Sequence, residues 1–227
     1  MITLIIKLAE KGLLPDSLIR LGIKRLCSQR LEATTSSSEE LMQKEHSDWV
    51  DFLKESPIAL VPEKANEQHY EVPPKLFELV LGSQLKYSSG YWPEGVKSLD
   101  QSEEAMLKLT SERAGLADGQ KILELGCGWG SLTLFMAQQF PGSKVTAVSN
   151  SNDQRKFIEA RCDNLGLTNI EVITADMNDF EAKGKFDRVV SIEMFEHMRN
   201  YEKLLARVSA WLKKEANSLC IYSLTKK

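Results

Sequence analysis

Lys121-Ile-Leu-Glu-Leu-Gly-Cys-Gly-Trp-Gly130 is the stretch that most restricts what this chain can fold into. A strand-type segment runs straight into Gly126, Gly128 and Gly130, and an amphipathic segment carrying Leu132, Leu134, Phe135 and Met136 follows. A strand that turns tightly into a helix leaves free backbone N–H groups and the positive helix end beside whatever sits in the crevice. Glycine lets the backbone approach that occupant without a Cβ in between. A bare structural turn with no ligand would use the same residues.

The run points to an adenosine-bearing cofactor. The nicotinamide version of this turn is G-x-G-x-x-G, with an acid about 20 positions on to hold the ribose. Here the third glycine arrives one position early, giving Glu-x-Gly-x-Gly-x-Gly, and the next strand ends in Ser149-Asn150 instead of an acid. Both departures count against NAD. Ile170 to Thr174 reads as a strand leading into Ala175-Asp176-Met177, and Phe186 to Ser191 as one leading into Ile192-Glu-Met-Phe-Glu-His197. Ligands of open α/β sheets bind outside the carboxyl ends of the strands, so these polar residues are expected along one crevice.

The 227 residues suit one α/β domain with a helical extension. With 42% hydrophobic residues and a net charge of −3, a normal core is available and no strong attraction to nucleic acid is built in, so no nucleic-acid partner is expected. Cys27, Cys127, Cys162 and Cys220 show neither CxxC pairing nor metal spacing. Reduced thiols in a cytoplasmic protein with no metal are expected. The apolar start, Met1 to Lys7, is too short for a transmembrane span and lacks the flanks of a signal peptide. It reads as the beginning of an amphipathic helix packing on the domain or a partner, and Lys24, Arg25 and Arg30 as a solvated face rather than a membrane-binding one.

Thr34 to Ser38 reads as a polar linker, with Ser37 and Glu40 forming a capping box for a helix that carries Leu41, Trp49, Val50 and Leu53 and stops before Pro57. Pro62 to Pro74 is expected to be irregular and to line the mouth of the site. Further helices are expected near 75–81, over 100–114 closed by Gly115, after the second strand between a Ser151/Gln154 capping box and Gly166, and over about 200–213. The last would turn Leu204, Leu205, Val208, Trp211 and Leu212 toward the core. Strands are expected near 121–125, 144–149, 170–174, 186–191 and 218–223. Alternation of this kind implies a mainly parallel sheet with helices on both faces.

In chain order, ELGCGWG, AVSNSNDQ, TADM and SIEMFEHM resemble the class I S-adenosylmethionine-dependent methyltransferases. More closely, they resemble the branch containing the coclaurine N-methyltransferases and the cyclopropane fatty acid synthases. Asn66 to Glu71 and Leu85 to Tyr91 fit the same branch, and Glu196-His-Met-Arg-Asn-Tyr201 with the N-terminal helices matches its coclaurine-like members. The resemblance runs from about residue 10 to 214.

It implies a Rossmann-like methyltransferase domain over 66–227 behind a helical extension over 1–65, S-adenosylmethionine as cofactor, and a small amine as methyl acceptor. By resemblance, Gly126 and Gly128 approach the methionine portion, and Ser149, Asn150 and Gln154 reach the ribose and adenosine side. Asp176 accepts from the adenine amino group beside the Met177 backbone, Tyr87 and Ser88 touch the carboxylate end, and Ile192 belongs to the same cofactor set. Glu193 and Glu196 become ammonium anchors, and His197 the base. The residue types suit the task, because an alkyl amine with a pKa near 10 is mostly protonated at pH 7 and must lose a proton before it can attack. Helix capping for the two glutamates and a hydrogen-bonded core position for the histidine are the structural alternatives.

The resembling family continues well past its fifth strand, with more strands and an insertion that closes over the substrate. Its glycine turn before that strand is replaced here by Lys213 to Ser218. A truncated or alternatively spliced form is therefore expected, lacking the last strands of the family fold and leaving an edge unpaired and the pocket wet. Where the cyclopropane-forming members carry a cysteine that helps hold a bicarbonate base, this chain has Ser89. N-methylation of a small amine is the leading expectation. Two others stand beside it: a form that binds the cofactor or a partner and catalyses nothing, and modification of an unsaturated phospholipid acyl chain. A homo-oligomer is left open.

Overall fold

Parallel strands covered on both faces need near-continuous apolar sequence, and β1 (Lys121–Leu125) has it: after exposed Lys121 every residue is buried. In this computed structural model, which describes residues 2–34, 38–60 and 73–221, β1 lies at the centre of a five-stranded sheet. Its partners are β2 (Lys144–Ser149), β3 (Ile170–Thr174), β4 (Phe186–Ile192) and β5 (Leu212–Ile221), in the order β3-β2-β1-β4-β5. All four pairings are parallel. The chain runs outward from β1 through β2 to β3, then crosses back to β4 on the other side of β1. That reversal opens a crevice at the carboxyl ends of β1 and β4, where α/β sheets hold their ligands.

The chain forms two compact units, Met1–Phe52 and Leu53–Lys227. The first contains α1 (Ile2–Glu10), α2 (Asp16–Thr34) and most of α3 (Glu39–Glu55). Gly12 at φ +67° and the Pro15 that follows it separate α1 from α2. The Ser38 hydroxyl accepts from the Leu41 amide at 3.2 Å, so the cap at the start of α3 is made by Ser38. Ser37, the residue expected there, lies outside the described residues, as do positions 61–72 with the expected domain boundary and most of the irregular mouth segment. Among the described residues, no helix is long and apolar enough to cross a membrane.

In the second unit the described helices are α4 (Pro74–Val80), α5 (Leu99–Arg113), α6 (Ser131–Gln139), α7 (Asn152–Leu165) and α8 (Tyr201–Trp211). One core layer joins Leu123, Leu125, Val148 and Val189 to Phe180, Leu204, Val208 and Trp211. The other joins Ile122, Val145 and Val190 to Leu107, Leu132, Phe135 and Met136. Leu205 departs from the expected core face of α8: it is 49% exposed. It immediately follows buried Leu204, about 100° further round the helix.

β5 also differs from expectation, beginning at Leu212 directly after α8 rather than near 218. Leu212 pairs with Phe186 and Asn217 with Arg188, so the four residues between them on β5 face only Asp187 on β4. That irregularity takes the place of a turn. The Ser151/Gln154 box is half formed: the Ser151 hydroxyl accepts from the Gln154 amide at 3.3 Å, but the Gln154 side chain turns away to Ser149.

Candidate active site

A cavity of about 710 Å³ occupies the crevice at the strand ends. Every residue expected to hold the cofactor or the acceptor lines it, and each reaches it from a recognisable local structure.

The glycine turn forms the floor. Gly126 and Cys127 both donate their amides to the Val148 carbonyl, at 2.9 and 3.0 Å, which ties the turn to β2. Gly126 has φ +78°, and a Cβ there would lie 2.7 Å from Met194 Cβ and Cγ. The turn and the segment after β4 are therefore packed backbone against side chain. Gly128, at φ +53°, has nothing within 4 Å of where its Cβ would be, so its backbone edges open space beside the cavity. The Cys127 thiol between them is buried, and that burial with the nearby Glu124 carboxylate holds its pKa well above the ordinary value. It stays a neutral thiol and not a nucleophile.

On the β2 side, Ser149 and Gln154 form an internal pair: Ser149 Oγ donates to Gln154 Oε1 at 2.6 Å and accepts from the Ser151 amide at 3.0 Å. This leaves Gln154 Nε2 buried at the cavity wall with no hydrogen-bond partner among the described residues. Thr110 Oγ1, Trp129 Nε1 and Ser131 Oγ are in the same condition along the same wall. Buried polar atoms left without partners are costly, and a polar ligand here would satisfy them. Asn150 also borders this side. Beyond β3, Asp176 spends one carboxylate oxygen on the Asn178 amide at 2.7 Å, a turn that places Asp176 and buried Met177 on the cavity wall.

Asn178 does something sequence reasoning missed. Its side chain accepts from the Ala59 amide at 3.0 Å and donates to the Ala59 carbonyl at 2.9 Å, a two-point clamp on a segment 119 positions away. Asn200 adds bonds to the carbonyls of Lys54 and Ser56 at 2.6 and 2.9 Å, and the Arg199 amide donates to Ile58 at 2.7 Å. Residues 54–60 thus form a strap whose end, Ala59 and Leu60, closes part of the cavity. Replacing Asn178 with Ala strands both Ala59 backbone groups and is expected to cost about 2 kcal/mol, read as a lowered urea midpoint. An unchanged midpoint would mean that water replaces the clamp.

The residues expected to meet the acceptor follow β4. Ile192 ends the strand, and Glu193 takes φ +52°, an unfavourable backbone for a residue with a Cβ. The segment then forms a short 3₁₀ turn, Phe195–His197, held from below by buried Phe195, whose carbonyl accepts the Tyr201 hydroxyl at 2.9 Å. Glu196 and His197 are exposed and border the cavity, so they sit at its rim. His197 is thus not a core histidine. The cap of α8 is Asn200, whose side chain accepts from the Lys203 amide at 2.9 Å, so neither glutamate serves that helix. Such backbone strain gathers at functional sites, and among the described residues the other non-glycine with positive φ, Leu85 at +49°, also lines the cavity.

Leu85 belongs to a loop that α5 pins in place. Buried Glu103 accepts from the Gly82 and Gln84 amides at 2.8 and 3.1 Å, and Asp100 accepts from the Ser83 amide at 2.6 Å. The loop then presents Lys86, Tyr87 and Ser88 to the cavity. Tyr87 packs edge-on against Phe77 at 5.3 Å, and Phe77 in turn touches Trp129 at 5.3 Å. Lys86 and Glu124 are buried charged residues in this wall that sequence reasoning did not single out. A signal for Glu124 existed: it is a carboxylate inside an otherwise apolar strand. Burial raises its pKa from the ordinary 4.5 to about 7, partly countered by the Thr133 hydroxyl, which donates to it at 2.5 Å, and by the charge of Lys86.

Comparison with known proteins places this geometry in a family. The sequence profile named mycolic acid cyclopropane synthetase matches residues 61–227. The chain belongs to that family. It is similar to an (S)-coclaurine N-methyltransferase of Papaver somniferum, 38% identical over 204 residues, covering 90% of this chain and 58% of the relative. The chain thus spans less than two thirds of the length of that curated relative. Among solved structures, it resembles a coclaurine N-methyltransferase bound to N-methylheliamine and S-adenosylhomocysteine: TM-score 0.86, 38% identity, 96% of this chain and 63% of that one. It also resembles the mycolic acid cyclopropane synthase CmaA1 complexed with S-adenosylhomocysteine, with TM-score 0.63, 26% identity, and 71% and 57% covered. The family assignment agrees with the class I methyltransferase resemblance and with its Rossmann-like parallel sheet.

Proposed function

We propose that this cavity holds S-adenosylmethionine and serves N-methylation of a small amine. One observation carries the reading: the residues suited to an adenosyl amino acid and those suited to an ammonium acceptor line one cavity, at the point where the sheet reverses. The fit to the cofactor rests on the open edge at Gly128 and on the unpartnered buried atoms Gln154 Nε2, Trp129 Nε1, Thr110 Oγ1 and Ser131 Oγ. Gly126 and Gly128 would lie along its methionine portion, Ser149, Asn150 and Gln154 along the ribose and adenosine side, and Asp176 with Met177 at the adenine. When bound, the cofactor supplies an electrophilic methyl group on a sulfonium.

The chain's own residues then have three tasks. Glu193 and Glu196 hold the acceptor's ammonium at the rim, His197 takes its proton, and the apolar wall of Leu85, Ile192 and Met194 limits water around the exposed lone pair. By their names, the two coclaurine N-methyltransferases above act on coclaurine, one being bound to N-methylheliamine, and an alkaloid-like secondary amine is the acceptor class proposed here.

The test is methyl transfer from S-adenosylmethionine to a panel of secondary amines, followed by mass. Turnover is expected on at least one cyclic secondary amine. Glu196→Gln should lower kcat/KM by roughly tenfold, the worth of one charged contact, with affinity for S-adenosylhomocysteine unchanged. Cofactor binding with no turnover on any amine would overturn the acceptor half of the proposal. Full activity of Glu196→Gln would remove that residue from it.

A further inference from the structure

Arg207 stands on α8, outside the cavity lining, yet its head group is spent on the cavity wall. Its Nη1 donates to the Met177 carbonyl at 3.0 Å and to the Asn178 carbonyl at 2.9 Å. The side chain is 30% exposed, and Nε lies 3.7 Å from Glu181 Oε1. Glu181 is itself 70% exposed, so that ion pair contributes little. An arginine at a protein surface ordinarily keeps its guanidinium in water. Here it goes to two successive carbonyls of the turn after β3.

The Met177 carbonyl and the Asn178 amide belong to one peptide unit, and a peptide unit is planar. A bond to its oxygen therefore orients its N–H, and a charged donor polarises that N–H further. The same N–H holds one carboxylate oxygen of Asp176 at 2.7 Å. Arg207 thus reaches Asp176 across a single rigid unit. The Asp176 carbonyl accepts the Asp179 and Phe180 amides at 3.1 and 2.8 Å, so its backbone and its side chain are both held. α8 grips the turn by a second route as well. Asn200, two helical turns before Arg207, holds the carbonyls of Lys54 and Ser56, and the strap they begin is clamped by Asn178 at Ala59.

Building on the proposed cofactor reading, we propose that Arg207 is a positioning residue for base selectivity. Through the peptide between Met177 and Asn178 it aims the Asp176 carboxylate at the amino group of the adenine. An amino group donates to that carboxylate, whereas an oxygen in its place would set two acceptors against each other. The preference depends on where the carboxylate points, and Arg207 fixes that direction without touching the ligand.

The experiment is calorimetric titration of the full chain and of its Arg207→Met, Arg207→Gln and Arg207→Lys variants. The probes are S-adenosylhomocysteine and S-inosylhomocysteine, which carries an oxygen in place of the adenine amino group. The unsubstituted chain should prefer the first by at least about tenfold. Arg207→Met and Arg207→Gln should cut that preference to about a third or less. Arg207→Lys keeps a charged donor and should hold it within about twofold. Equal weakening of both probes, with the preference unchanged, would make Arg207 a scaffold residue and overturn the proposal. Loss of the fold in both Arg207→Met and Arg207→Gln, or loss of the preference in Arg207→Lys, would overturn it too. An unsubstituted chain that binds the two probes equally well would sink the adenine placement at Asp176, and the proposal with it. One that binds neither would sink the cofactor reading itself.

Discussion

The Glu124→Gln chain is expected to lose most of a pH dependence that the unsubstituted chain shows between pH 4.5 and 7. Glu124 is 3% exposed, and burial raises its pKa from 4.5 to about 7. Its folded-state pKa lies above its unfolded value. Below pH 4.5 both states are protonated and the group favours neither. As pH rises toward 7 the unfolded chain releases this proton while the folded chain retains it, so the unfolded state binds fewer protons and stability falls. Above about 7 the loss is complete and the curve flattens. A shift from 4.5 to about 7 corresponds to a loss on the order of 3 kcal/mol. Glutamine keeps an acceptor for the Thr133 hydroxyl and has no proton to lose. The check is urea unfolding at pH 4.5, 6 and 8: the difference between the two chains should grow with pH in favour of Glu124→Gln. A difference that stays constant would mean that Glu124 ionises normally in the folded protein.

The glycine turn supports a second large effect, one that separates architecture from binding. Gly126→Ala meets two penalties: a left-handed backbone at φ +78° and a contact of 2.7 Å with Met194 Cβ, which no side-chain rotation relieves. The backbone term alone is worth about 1–2 kcal/mol, and overpacking adds about 1–3. A loss of roughly 3 kcal/mol in unfolding free energy is expected, with the segment carrying Glu193 displaced. Gly128→Ala, at φ +53° with open space around it, bears only the backbone term. Its methyl group would border the cavity instead. Gly128→Ala should therefore stay folded while losing most of its affinity for S-adenosylhomocysteine. Chemical denaturation paired with calorimetry reads both. Equal destabilisation by the two substitutions would contradict the packing described at Met194.

The first four strands were legible because apolar runs such as Ile170 to Thr174 end at polar residues where the sheet ends. β5 was misplaced because Lys213, Lys214 and Glu215 carry no strand pattern; pairing with β4 imposes the extended backbone. Leu205 was misread because adjacent leucines lie about 100° apart on a helix, and only the packed structure shows that the buried stripe takes in Leu204 and leaves Leu205 outside it. All thirteen expected site residues line one cavity because strand ends converge at a sheet's switch point, a property of topology and not of spacing. Lys86 and the Asn178 clamp were not legible. One lies in a loop whose burial depends on Glu103, and the other reaches a partner 119 positions away.

The most direct measurement is the heat of binding when S-adenosylhomocysteine is titrated into the purified chain, with NAD as control. A saturable signal with one molecule bound per chain, and none for the dinucleotide, is the predicted result. No heat with the adenosyl ligand, or equal binding of NAD, would contradict the reading of the crevice at the ends of β1 and β4.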